Sequence, residues 1–272
     1  MIELVMNILS YPFMLRAVIV GAVVAVCCAL LGVNLVLKKY SMIGDGLSHV
    51  SFGAMAISAV LGFSPLAIAV PVVIIAAFML LGVKETSKIK GDSAIAIITS
   101  SSLAIGIMVS TMSGGMNTDL MNYMFGSILS LGKTDTVICI ILGLLTIFLY
   151  ILFYRGIFAV TFDEIFAKAT GVKTTVYRSL TAILTAVTVV IGMRMMGTLL
   201  ISALLIFPPL SAMRVSKNFK VTVILSAIIS LVCFITGILV SFVYATPVGA
   251  TVVISNLVIF IIFSIISKIK TA

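Results

Sequence analysis

Of 272 residues, 62% are apolar and only 9% charged, and the mean hydropathy is +1.37. This excludes a water-soluble fold, in which about a quarter of residues are charged, and predicts an all-α polytopic membrane protein. The net charge of +9 is no nucleic-acid footprint, because the basic residues gather in loops between apolar runs, where they report topology.

The N-terminal MIELVMNILSYPFMLR has no basic n-region followed by a small-residue cleavage site, so the first apolar stretch reads as retained. At about 20 residues per crossing, nine spans are predicted, at 12–37, 45–62, 65–83, 93–113, 135–154, 175–193, 197–213, 221–243 and 248–267. The stretches 45–62 and 197–213 are short enough to be broken or re-entrant. Gly-Phe-Ser-Pro at 62–65 and Ala-Thr-Pro at 245–247 mark sharp turns, and Gly114-Gly115 another. Basic residues then sort the loops. One set holds Lys38, Lys39, Lys84, Lys88, Lys90, Arg155, Lys168, Lys173, Arg178, Arg214, Lys217, Lys220, Lys268 and Lys270; the alternate loops hold chiefly Lys133 and Arg194. Placing the basic set in the cytoplasm puts the N-terminus outside and the C-terminus inside. The four cysteines, Cys27, Cys28, Cys139 and Cys233, lack C-x-x-C spacing and read as small buried hydrophobes.

Within the second span, Asp45 and the sole histidine, His49, are spaced i, i+4 and share a helical face. Burying ionisable groups in lipid costs several kcal/mol unless they meet a partner or a polar lumen, which makes the pair a functional candidate. A carboxylate and an imidazole supply half of a coordination site for Zn²⁺, Mn²⁺ or Fe²⁺, and a two-fold axis between two copies would double it to four ligands. The competing reading makes Gly44-Asp45 a helix N-cap with His49 merely near the interface. Small residues crowd the same helix (Gly46, Ser48, Ser51, Gly53, Ala54), and Thr99 to Ser102 follow in the fourth span. They suit either close helix packing or a narrow polar path.

The loop TFDEIFAKATGVK (161–173) reads as a short cytoplasmic helix capped by Asp163, charged at its start by Glu164 and ended by Gly171. Phe162, Ile165 and Phe166 give it an apolar patch beside Ala167, for the membrane surface or for a partner. Pro208 and Pro209 near the end of the seventh span suit either a gate and helix break or a plain terminus. No Walker-type sequence or nucleotide fingerprint is present, so ATP-driven transport would need its ATPase on another chain.

Taken in order, these segments resemble the integral-membrane permeases of ABC importers for zinc, manganese and iron, the ZnuB-like family. GDGLSHVSFGA (44–54) resembles that family's Gly-Asp-x-Leu-Ser-His segment, and FDEIFAKATGV (162–172) its Phe-Asp-x-x-x-Ala-x-x-x-Gly-Val loop. MGTLLISALLIFPPLSAMRVS (196–216) and ATPVGATVVISN (245–256) are similar to its Pro-containing segment with closing Ala-x-Arg and to the opening of its last span. Met196 in place of valine and Gly46 in place of alanine are departures that leave the ionisable pair untouched. The resemblance implies a type II importer permease, one transmembrane domain over 1–272 with a coupling helix at 161–173, in the prokaryotic plasma membrane. It implies a second copy of the chain, cytoplasmic ATP-binding-cassette subunits, an extracytoplasmic metal-binding receptor and surrounding lipid as partners. Asp45 and His49 match the proposed ion-binding positions, and 162–172 matches the ATPase-docking helix. No permanently bound cofactor and no enzyme activity of the chain itself are expected, the divalent metal being cargo. The competing functions are a permease for a metal chelate or corrinoid, and an ion-coupled secondary transporter using Asp45 and His49 as a proton relay.

Overall fold

The computed structural model describes residues 12–82, 91–112, 126 and 132–271. The chain before Pro12, the loop with Lys84, Lys88 and Lys90, and the Gly114-Gly115 turn lie outside them. Among the described residues the chain forms helices and no strand: α1 (Pro12–Leu37), α2 (Ile43–Leu61), α3 (Pro65–Gly82), α4 (Gly91–Met112), α5 (Lys133–Leu152), α6 (Tyr154–Phe162), α7 (Glu164–Ala169), α8 (Thr174–Val215), α9 (Phe219–Tyr244) and α10 (Val248–Thr271). Seven of these are long and apolar enough to cross a membrane; α2, interrupted by Asp45, His49 and its serines, is not among the seven.

Helix α8 accounts for two predicted spans. Its 42 residues would reach about 63 Å if straight, twice the hydrocarbon thickness. Gly197 breaks it at φ 77, ψ 169, a backbone conformation essentially restricted to glycine. The limbs 174–196 and 198–215 fold back on each other there, since a Cβ on Gly192 would collide with Cδ1 of Ile201. The nine predicted spans are therefore eight helices, one of them doubled. Of the two readings of Pro208 and Pro209, neither a helix break nor an immediate terminus occurs there: helical backbone continues through both prolines to Val215, and the break is at Gly197. Pro209 has no N–H for the Leu205 carbonyl one turn earlier. Helix α1 closes on that freed oxygen, because a Cβ on Gly32 would overlap it.

Helix α1 is the hub. The Cys27 thiol donates to the Gly143 carbonyl of α5 at 3.3 Å, and Ser230 Oγ of α9 donates to Ala25 O at 2.8 Å. Gly21 meets Met196 and Phe234. On the other side of α8, α2 packs between α3 and α4 through its small residues: Gly46 faces Ile95 and Thr99, and Gly53 lies against the Ser102 carbonyl. The small-residue face of α2 is therefore a packing face. The four cysteines are buried and free.

Helix ends follow local chemistry. Gly62 and Gly171 adopt left-handed φ values of 72 and 85 and close α2 and α7 with paired 6→1 and 5→2 hydrogen bonds. Helix α1 closes in the same way on Lys39 at φ 63, with Tyr40 N bonded to Leu35 O at 2.8 Å. The predicted span 135–154 ends at Leu152, and a further helix, α6, follows Phe153 directly instead of an open loop.

Candidate functional site

Asp45 sits in the first turn of α2, but the N-cap position belongs to Met42, which makes no side-chain cap bond. The carboxylate is thus free of capping duty while lying near the positive end of the helix dipole. Its Oδ1 accepts a hydrogen bond from Ser202 Oγ at 3.3 Å and stands 3.7 Å from His49 Nε2. Ser202 lies five residues beyond Gly197 and thirteen before Val215, so the pair faces the interior of that limb, about 20 Å along it from its basic end. Gly44, one position earlier, is against Leu205 of α8, and Gly46, one position later, is against α4. Asp45 and His49 consequently face the gap between α8 and α4.

The side chains of His49 and Asp45 keep 16% and 34% of their surface accessible. The Nδ1 of His49 is buried without a hydrogen-bond partner among the described residues, an arrangement that leaves the imidazole unsatisfied. One turn further along the same stripe, Phe52 is fully buried against Gly106 of α4. Among the described residues no third His, Cys, Asp or Glu joins the pair. The set is one carboxylate, one imidazole and one hydroxyl, matching a borderline divalent ion but leaving its coordination incomplete within one chain. Sequence reasoning found the two ionisable members and missed Ser202, whose only sequence signal was a hydroxyl in an apolar span.

The 162–171 segment lies at the basic end of the bundle. Asp163 caps α7 by accepting from Phe166 N at 2.9 Å, and Gly171 ends the segment. Ala167 is buried, while Phe162, Ile165 and Phe166 are 61%, 86% and 67% exposed. Phe162 belongs to the end of α6 and stacks on Phe158 and on Phe219 of α9. Glu164 ties the segment to α1 through Lys38 at 3.4 Å and to α8 through Arg178 at 3.9 Å. Behind it lies a buried network that sequence reasoning did not find. Asn34 Nδ2 donates to the Tyr150 hydroxyl at 2.9 Å, and Thr161 Oγ1 donates to Asn34 Oδ1 at 3.2 Å. Asn34 is the single amide in α1, which was the available signal. At the other end of the bundle Arg194 pairs with Asp135 at 2.6 Å, so one of the two basic residues of the sparse set is neutralised, sharpening the charge asymmetry.

This architecture recurs in solved transporters. PsaBC from Streptococcus pneumoniae, solved in complex with a Fab, aligns with a TM-score of 0.86 over 97% of this chain and 95% of that one, at 30% identity. An inward-facing ABC transporter described as metal-chelate type aligns with a TM-score of 0.73 at 16% identity over 92% and 85%, a likeness of fold alone. The manganese transport system membrane protein MntC of Halalkalibacterium halodurans is 30% identical over 91% of this chain and 85% of that protein. The high-affinity zinc uptake system membrane protein ZnuB of Haemophilus influenzae is 28% identical over 93% and 97%. The fold is that of a type II ABC permease, and the profile of the ABC 3 transport family matches residues 10–267: the chain belongs to that family.

Proposed function

We propose that this chain is the membrane-spanning permease of an ATP-driven importer of divalent transition-metal ions, manganese or zinc foremost and iron next. It works as a homodimer with separate ATPase subunits and an extracytoplasmic metal-binding receptor. The observation that carries the reading is the Asp45–His49–Ser202 set inside the helix layer, with an unsatisfied imidazole nitrogen, in a chain whose relatives are named for manganese and zinc transport.

The basic end of the bundle faces the cytoplasm, so the N-terminus is outside and the C-terminus inside. A receptor delivers the ion at the Gly197 end. Asp45 and His49 hold it between α8 and α4, and the same pair from a second copy completes the coordination. Binding must be weak enough to release the ion, which suits few ligands per chain. The 162–171 segment docks into the ATPase through Ile165 and Phe166. Its movement reaches α1 through Lys38 and Asn34 and α8 through Arg178. Continuous helix at Pro208 and Pro209 packs against α1 at Gly32, so any gating there is a movement of this packed pair.

The test is metal uptake by proteoliposomes holding the purified complex with Asp45→Ala or His49→Ala, each of Mn²⁺, Zn²⁺ and Fe²⁺ being supplied in turn. Loss of uptake with the complex still assembled is expected. Wild-type uptake from both variants would overturn the site.

A further inference from the structure

Where α1, α3, α6, α7 and α8 meet at the basic end, a cleft of about 880 Å³ opens between them. Lys38, Lys39, Lys168 and Arg178 line it, and Glu164 is the one acid among the described residues that line it. Glu164 is already shared between Lys38 and Arg178. Lys39 and Lys168 have no ion-pair partner among the described residues. Four cations against one carboxylate repel a divalent metal, so the cleft is no exit route for the ion. Their sign suits an anion.

Two further features narrow the ligand. The lining also includes the apolar residues Leu35, Leu37 and Ile157, of which Leu35 and Ile157 are buried and Leu37 is 39% exposed. The backbone at Lys39 is in the left-handed region at φ 63, at the helix-closing position that Gly62 and Gly171 fill elsewhere in this chain. Backbone ease favours glycine there, so a lysine is accounted for by what its side chain does in lining the cleft. We infer that the cleft binds a phosphate group, with Lys39 and Lys168 as its free cations, and that its apolar lining takes the acyl chain next to it. The ligand is an anionic phospholipid held between helices at the membrane boundary.

The experiment uses the purified full-length chain in mixed micelles and reads its thermal unfolding midpoint against added phosphatidylglycerol, phosphatidylcholine or inorganic phosphate. Phosphatidylglycerol is expected to raise the midpoint more than phosphatidylcholine does. Its apparent affinity should fall about fivefold for each lysine removed in Lys39→Gly and Lys168→Gln. Lys39→Gly relieves the left-handed residue, so its lipid-free midpoint should equal or exceed that of the wild type, which keeps the result readable. Lys217→Gln, an exposed residue outside the cleft, should change the affinity less than twofold. Equal protection by both lipids, or equal losses from Lys217→Gln and the cleft variants, overturns the inference. Protection by inorganic phosphate that depends on Lys39 and Lys168 supports the phosphate site and places its source in solution. Unchanged phosphatidylglycerol affinity together with loss of ATPase binding makes the cleft a protein-docking face and overturns the lipid site.

Discussion

Two aspartates open two helices of this chain and have opposite surroundings. Asp163 stands exposed at the N-cap of α7 and accepts the backbone N–H of Phe166. Asp45 stands three residues inside α2, leaves the cap to Met42, and accepts instead from Ser202, 157 residues away on another helix. The first satisfies a backbone donor that any helix start presents. The second satisfies no local need, and beside it is an imidazole with a buried, unpartnered nitrogen. An acid at a helix start is structural when the backbone claims it, and becomes a candidate ligand when the backbone does not.

That contrast is open to direct attack. The largest expected effect is at the interior pair: Asp45→Ala or His49→Ala should cut metal uptake roughly 100-fold, while the unfolding midpoint of the complex stays near the wild type. A large fall in midpoint would turn Asp45 into a second structural acid. Next comes the exposed segment, where Phe166→Asp should weaken ATPase association by about 30-fold without moving the midpoint, as titration of purified partners would read. If association is untouched, the apolar patch belongs to the membrane surface. Asn34→Leu leaves the Tyr150 and Thr161 hydroxyls facing an alkyl chain and should destabilise the chain by about 1–3 kcal/mol, measured by denaturant unfolding in micelles. The smallest effect is expected from Asp163→Ala, about 1 kcal/mol of local helix stability, read as faster amide exchange confined to α7. Asp163→Asn should restore it, because the amide oxygen still caps.

Much of this molecule was legible in its residues. The apolar runs located the seven described helices that are long and apolar enough to cross a membrane, because about 20 apolar residues can do little else in lipid. Asp163 and Gly171 bounded α7 because caps act within one turn of the chain. Where the reading misplaced features, non-local geometry was the reason. Proline reads as a helix breaker, yet Pro208 and Pro209 lie in continuous helix, with the Leu205 carbonyl that Pro209 leaves free packed against Gly32. The break falls at Gly197, an unremarkable glycine by sequence, because only a residue without Cβ takes its dihedrals. Helix α6 was hidden because a helix lying after a span carries no hydropathy signal of its own.

By itself the sequence determined the membrane class, the positions of the long apolar helices, the segregation of charge to one end, and the shared face of Asp45 and His49. All of these follow from periodicity and composition over a few turns. Only the tertiary structure decided that α8 doubles back, that Ser202 meets Asp45, that Asp135 neutralises Arg194, and that Asn34 joins α1 to the segment before α7. It also decided that Lys39 and Lys168 share one cleft. Each of these joins residues far apart in the chain. Such pairings arise from which helices lie side by side, and helix neighbours are chosen by packing over the whole bundle.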